Sequence, residues 1–478
     1  MNYEPVVGLE VHLQLSTATK LFCGCATKFG APPNSQTCPV CLGLPGVLPV
    51  LNARALEWGI KLGVALNCQI AEVMKFDRKQ YFYPDLPKNF QISQYDQPLS
   101  HHGHLDIAVD GQPKRIGIHR IHLEEDAGKL LHDAHETASL VDFNRTGVPL
   151  LEIVSEPDMR SSDEAYQYLT ELKAVIQYLG VSTCNMEEGS LRCDTNVSLR
   201  APGASAFGSK VEVKNLNSFR AVKLAVEYEI ERQAAMLDRG DRIVQETRLW
   251  NAKKDITDLM RSKEEAADYR YFPEPDLVPF VIEPAVIQQV KAALPELPAQ
   301  RRVRFQERCE LSAYDAQVIA QDRAMADLFE QALTTYPKPK PVANWIMGDL
   351  SAYLNARALP LAGVKLRPEW LGHLLQLIED GTLSGKMAKD VLSQVLERGI
   401  DPGQLVHEGG LRQIVDAGAL EQVADEVLQA FPKSVEDYAK GKTNALMYLV
   451  GQAMKRTQGK ANPQQVTEML KRKLVGRS

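Results

Sequence analysis

Val6-Val7-Gly8-Leu9-Glu10-Val11-His12-Leu13-Gln14-Leu15 is the stretch that decides how this chain begins to fold. Side chains of an extended strand alternate between its two faces, so Leu9, Val11, Leu13 and Leu15 fall on one side and Glu10, His12 and Gln14 on the other. The apolar side asks for a core. A carboxylate and an imidazole two positions apart on the polar side form either a two-ligand clip for a metal or the solvated outer face of an antiparallel sheet.

Three further segments repeat this texture. His119-Arg-Ile-His122-Leu-Glu124-Glu125-Asp126 places histidines and three consecutive acids at the end of an interrupted apolar strand. Val148-Pro-Leu-Leu-Glu152-Ile-Val-Ser-Glu156 sets Glu152 inside an apolar run. A carboxylate in a buried strand needs a partner, and a divalent cation can serve several converging carboxylates at once. Oxygen-rich ligands with one imidazole favour Mg²⁺ over zinc. In Leu191-Arg192-Cys193-Asp194-Thr195-Asn196-Val197-Ser198-Leu199-Arg200 the alternation puts Arg192, Asp194, Asn196, Ser198 and Arg200 on one side. A turn then leads into a second strand carrying Lys210, Glu212 and Lys214. Such a hairpin has one densely ionic face, which suits phosphates with a metal or is simply wet. Gly203 and Gly208 have P-loop spacing, but Ser209-Lys210 reverses the required order and a strand follows instead of a helix.

Cys23-Gly-Cys25 and Cys38-Pro-Val-Cys41 are two close cysteine pairs joined by a loop. Four thiolates so spaced can surround zinc; reduced buried thiols or a redox pair are the alternatives. Cys68, Cys184, Cys193 and Cys309 are isolated and read as small buried hydrophobes.

The 478-residue length and 44% hydrophobic, 24% charged composition exclude disordered, fibrous and small disulfide-scaffold classes and leave room for about three domains. No run of about 18 apolar residues exists and no basic segment precedes an apolar one at the amino terminus, so the expected location is cytoplasmic, without membrane contact. Short alternating segments fill residues 1 to 292, with helices from Asp163 to Leu179 and Ser218 to Leu237. Beyond Leu294 to Pro298 helical periodicity dominates, and Asp401 to Gly410 marks a softer boundary. The net charge is −6, yet residues 433 to 478 carry ten Lys and Arg against Glu436, Asp437 and Glu468. That excess of seven positive charges suits a polyanion or an ordinary solvated helical end.

Together, Gly8–Leu15, Phe76–Lys88, Glu188–Leu199, Val213–Phe219 and Asp268–Asp276 resemble, in order and along the whole chain, the GatB family, the B-type components of the tRNA-dependent amidotransferases. The resemblance implies an α+β chain. A glutamine-synthetase-like antiparallel sheet forms a cradle over 1–292, followed by a helical domain over 293–407 and a YqeY-type tRNA-binding tail over 408–478. It implies a carbon–nitrogen ligase with glutamine as amido donor, acting within a heterotrimer with an amidase (A-type) and a small C-type subunit. The cradle would use ATP and Mg²⁺ to phosphorylate the side-chain carboxylate of Glu-tRNA(Gln) or Asp-tRNA(Asn), and ammonia from the amidase would displace phosphate. Glu10, His12, Glu125 and Glu152 resemble the family's Mg²⁺ ligands; alternation alone does not choose between Glu124 and Glu125, and that choice comes from the resemblance. Lys79 and Lys88 resemble residues lining the ammonia passage. Arg192, Asp194, Asn196 and Lys214 are the expected nucleotide contacts, and Cys23, Cys25, Cys38 and Cys41 a structural zinc site. The alternative is a non-catalytic tRNA-binding scaffold, which would have no need of the acidic cluster.

Overall fold

The expected alternation of the first strand, Glu4–Gln14, is realised: Val7, Leu9, Val11 and Leu13 are fully buried, while Glu10, His12 and Gln14 are not. The computed structural model describes residues 3–132, 138–262, 269–411, 417–457 and 460–475. Asp268 of the last quoted motif and Arg477 of the basic tail lie outside them.

Among the described residues nine strands form one sheet. Their order is Ile256–Ser262, Glu246–Asn251, Val211–Leu216, Leu191–Arg200, Glu4–Gln14, Pro149–Ser155, Gln112–Glu125, Ser100–Val109 and Gln69–Ile70. All neighbours run antiparallel except Val211–Leu216 and Glu246–Asn251, which are parallel. The first strand is therefore central, between Pro149–Ser155 and Leu191–Arg200, so both of its edges are paired. The helices Ser162–Leu179 and Phe219–Asp238 cover the apolar side, contributing Leu169, Leu172, Ile176, Val222 and Val226 to the core that holds Leu9, Val11 and Leu13. Each begins where a serine can cap it. The Ser161 hydroxyl accepts from the Glu164 amide at 3.1 Å and the Ser218 hydroxyl from the Ala221 amide at 3.0 Å, satisfying amides that the first helical turn leaves unbonded. With one face buried under helices, the polar face is left to build a site.

Gly208 serves packing and no P-loop: a Cβ there would lie 2.1 Å from the Leu199 carbonyl oxygen, and the strand Val211–Leu216 follows. A small sheet, Phe272–Pro273 with Asp77–Gln80 and Phe90–Ser93, carries Lys79.

The chain divides into two compact units, Met1–Pro298 and Ala299–Ser478. Helices make up the second, which holds two separate apolar cores, one drawn from Phe305 to Val406 and one from Leu420 to Leu474. The expected boundary between 407 and 408 falls inside the helix Pro402–Gly409, which ends on Gly410 in the left-handed conformation. No helix among the described residues is long and apolar enough to cross a membrane.

Candidate active site

Strand register assembles the site. Arg192, His12, Glu152 and His122 stand directly opposite one another on four consecutive strands and so emerge on the same side. Glu124, two residues beyond His122, shares that side, as does Glu10 opposite Asp194. His122 Nε2 lies 3.0 Å from Glu152 Oε2 and 3.4 Å from Glu124 Oε2, and His12 Nε2 lies 3.5 Å from Glu152 Oε2. Ser93 Oγ donates to Glu124 Oε2 at 2.9 Å. One ligand atom each from His12, Glu124 and Glu152 falls within 4.8 Å of the other two.

Burial works against every charge here, and the neighbours decide the outcome. Burial alone would raise Glu152, but His122 and His12 outweigh it and hold its carboxyl well below the usual range. Burial would lower His122, but Glu152 and Glu124 lift it to about 9. Glu10 is pushed up by burial and by Glu152, only partly countered by Asn196 Nδ2 donating to its Oε1 at 2.8 Å. Two buried carboxylates and an imidazole converging in this way suit a hard divalent cation such as Mg²⁺, which prefers oxygen ligands and keeps several waters.

Glu125 does not join them. It sits on the opposite side of the pleat from His122 and Glu124, where it forms an ion pair with Lys88 and accepts from the Ile92 amide at 3.0 Å. The glutamate brought to His12 and Glu152 is therefore Glu124, and the period of two along the strand is the reason. His122 is a further member of the site that sequence reasoning missed. The signal was present in the sequence, since His122 and Glu124 are two apart. The lysines expected along one passage likewise line different cavities. Lys79 borders the acidic cleft, whereas Lys88 borders a cavity of about 180 Å³ with Glu125, Cys23 and Cys41.

The acidic cleft has a volume of about 340 Å³, and Glu10, His12, Glu152, Asp194, Lys210 and Lys214 are among its walls. Of the expected nucleotide contacts, Asp194 and Lys214 lie there. Lys214 Nζ is 2.5 Å from Asp194 Oδ2 and 3.0 Å from Glu212 Oε1. Pairing between the two strands shifts register after Cys193, and Asn215, just past Lys214, adopts φ 66° at the resulting bulge. Among the described residues, Asn196 reaches the site through its bond to Glu10. Arg192 turns to Asp126, 2.9 Å away, and borders a neighbouring cavity of about 630 Å³.

Residues 5–288 match the GatB/GatE catalytic domain and residues 327–474 the GatB domain. The chain belongs to the GatB family. Over 477 residues it is 56% identical to the B component of the aspartyl/glutamyl-tRNA(Asn/Gln) amidotransferase of Carboxydothermus hydrogenoformans, covering 99% of both chains. The protein of the same name from Moorella thermoacetica is 56% identical over 476 residues, covering 99% of this chain and 100% of its own. That of Acaryochloris marina is 52% identical, covering 99% of this chain and 98% of its own.

In this GatB chain Cys23, Cys25, Cys38 and Cys41 bring their sulfurs within 4.8 Å of one another. Four sulfurs around zinc at about 2.3 Å fit that spacing. Lys20, fully buried, donates from Nζ to Cys41 Sγ at 3.6 Å and to the Phe143 carbonyl at 3.3 Å. Among the described residues no carboxylate pairs with this lysine. A buried ammonium needs an anion, and Cys41 as thiolate is the group within reach. The Cys23 thiol, the nearby Cys38 and the Lys20 charge draw Cys41 down to about 4.

Proposed function

We propose that this chain is the activating subunit of a tRNA-dependent amidotransferase, converting Glu-tRNA(Gln) or Asp-tRNA(Asn) to its amide within a multi-subunit complex. The observation that carries this reading is the convergence of His12, Glu124 and Glu152 at 4.8 Å or less, with His12 and Glu152 on the wall of a cleft that Lys79, Lys210 and Lys214 also line. A carboxylate is a poor acyl donor because oxide is a poor leaving group. Attack of one side-chain oxygen on the γ-phosphorus of ATP, with ADP leaving, gives an acyl phosphate; attack of ammonia on the acyl carbon then expels phosphate and, with loss of a proton, leaves the amide.

His12, Glu124 and Glu152 would hold the Mg²⁺, with Glu10 beside them. The ion supplies neutralisation of phosphate charge in the in-line transfer. His122 orients Glu152 and Glu124 from behind. Lys210 and Lys214 face the phosphates, and Lys79 takes one side of the incoming carboxylate. Ammonia would come from an A-type amidase partner, with a small C-type subunit completing a heterotrimer. The Lys88–Glu125 pair stands beside the cavity under the cysteine loop, on a route separate from the metal. Zinc would be held by the four cysteines as a structural ion, and the basic tail would contact the tRNA body.

The test is amidation by the reconstituted complex supplied with ammonium chloride in place of glutamine. Glu152→Gln keeps the side-chain shape and removes one anionic ligand, and should lower the rate by at least about 100-fold. Activity equal to that of the unaltered complex would leave the chain as a scaffold for tRNA.

A further inference from the structure

Four tyrosine rings form a row beside the acidic cleft. Tyr81 meets Tyr269 edge-on with centroids 5.9 Å apart, Tyr269 meets Tyr271 at 6.2 Å, and Tyr271 lies flat on Tyr95 at 4.4 Å with 13° between planes. Backbone pairing builds the row. The Gln80 amide donates to the Tyr269 carbonyl at 2.8 Å, and Phe272–Pro273 pairs with Asp77 and Arg78. The Tyr95 amide donates to Asp77 Oδ2 at 2.9 Å, which brings the far end of the third strand to the same side.

Two cations are set among the rings. Lys79 Nζ lies 4.9 Å from the Tyr269 centroid, and Arg120 donates to the Tyr95 carbonyl at 3.2 Å. Lys79 and Tyr269 also border the cleft that holds Glu152. Tyr95 is 54% exposed, so the Tyr271–Tyr95 stack ends on an outward ring.

The substrate's covalent structure limits what can sit there. If the side-chain carboxyl of an aminoacyl-tRNA reacts in the cleft, the ester joining that amino acid to the terminal ribose places the last nucleoside within roughly 10 Å, at about 3.5 Å per residue length. The single-stranded acceptor end has an unstacked base that needs a flat partner, and its phosphates need cations. Aromatic rings interleaved with Lys or Arg meet both needs and read no base identity. Resting on the transamidation reading above, we propose that the Tyr95–Tyr271 stack is the platform for the terminal nucleobase of the acceptor end. The Lys79–Tyr269 pair lies between that base and the reacting carboxyl. Stacking without hydrogen-bond readout would serve glutamine and asparagine tRNAs equally. Exposed tyrosines also suit a protein interface, but the cations among these rings and their continuity with the cleft favour the nucleotide.

The experiment uses the reconstituted complex and Glu-tRNA(Gln) whose terminal adenine is replaced by 2-aminopurine, a fluorophore quenched by stacking. With the native chain, binding should quench the fluorophore. Tyr95→Leu, at an exposed position, should remove most of that quenching and raise the KM for aminoacyl-tRNA about tenfold. The kcat with ammonium chloride and the KM for ATP should stay within about twofold, and Tyr95→Phe should restore quenching and KM. Tyr271→Leu should act in the same direction. Unchanged quenching and KM in Tyr95→Leu would overturn the proposal, as would a variant that fails to join its partner subunits while the assembled fraction keeps a native tRNA KM. The metal reading fails separately: it falls if Glu152→Gln stays active, whatever Tyr95→Leu does.

Discussion

Glu124 and Glu125 are neighbours in the chain and belong to different chemistry. One faces His122; the other faces Lys88. The residues themselves left both open, and the family resemblance pointed to Glu125. What separates them is the register that sets Glu152 opposite His122, a pairing between two separate strands that local sequence cannot fix. Glu124→Gln should therefore raise the Mg²⁺ concentration needed for half-maximal ammonium-supported amidation by about 10-fold or more, whereas Glu125→Gln should leave it unchanged. Initial rates across a Mg²⁺ series decide between them.

Glu4 offers a second test at this scale. Its carboxyl is drawn from 4.5 to about 2, first by Arg200 and then by Arg160. A carboxylate with a folded-state value below its unfolded one stabilises the fold above the unfolded value and loses that contribution as pH falls through the folded one. Glu4→Gln should thus unfold at lower denaturant than the native chain at neutral pH. The gap should close as pH falls from 4.5 towards 2, and denaturation midpoints along that series measure it.

At the scale of elements, the strand alternation and the two capped helices of the first unit were legible because each is a local pattern. Leu9, Val11 and Leu13 repeat every second residue, and Ser161 and Ser218 each stand just before an apolar helical stripe. The sheet order was not legible, since it sets Glu4–Gln14 between two segments more than a hundred residues away and pairs strands that no local pattern matches, and with it went the identity of His122 and the turning of Arg192 to Asp126. The cysteine loop lay between these cases. Its spacing suggested four ligands, but nothing local marked Lys20 as the cation beneath them. Lys20→Met keeps the apolar stem and removes the charge, so it should weaken zinc retention by about 10- to 100-fold in competition with a chromogenic chelator. Cobalt substituted into the loop should show a shifted sulfur-to-metal absorption band in that variant. Native retention and an unchanged band would mean that Lys20 is anchored by the Phe143 carbonyl alone.

Across the whole molecule, charge is less lopsided than the last 46 residues suggest. The tail folds against the helix Ala417–Ala430, where Glu421 and Asp425 pair with Lys473 and Glu426 pairs with Arg456. Lys455, Lys460, Lys471 and Arg472 make no ion pair among the described residues and remain for a polyanion. Ending the chain after Leu411 leaves the Pro402–Gly409 helix whole and should weaken tRNA binding and flatten its salt dependence. Lys455→Ala or Lys471→Ala should each lower the log–log salt slope by about 1, measured by filter binding. The divalent-cation site proposed for His12, Glu124 and Glu152 lies at the centre of the sheet. Titration of the zinc-loaded complex with Mn²⁺, followed by electron paramagnetic resonance, tests it most directly. The native complex should bind one Mn²⁺ that Mg²⁺ displaces, with affinity at least about 10-fold weaker in Glu124→Gln and Glu152→Gln and unchanged in Glu125→Gln. Equal Mn²⁺ affinity in all four proteins would contradict it.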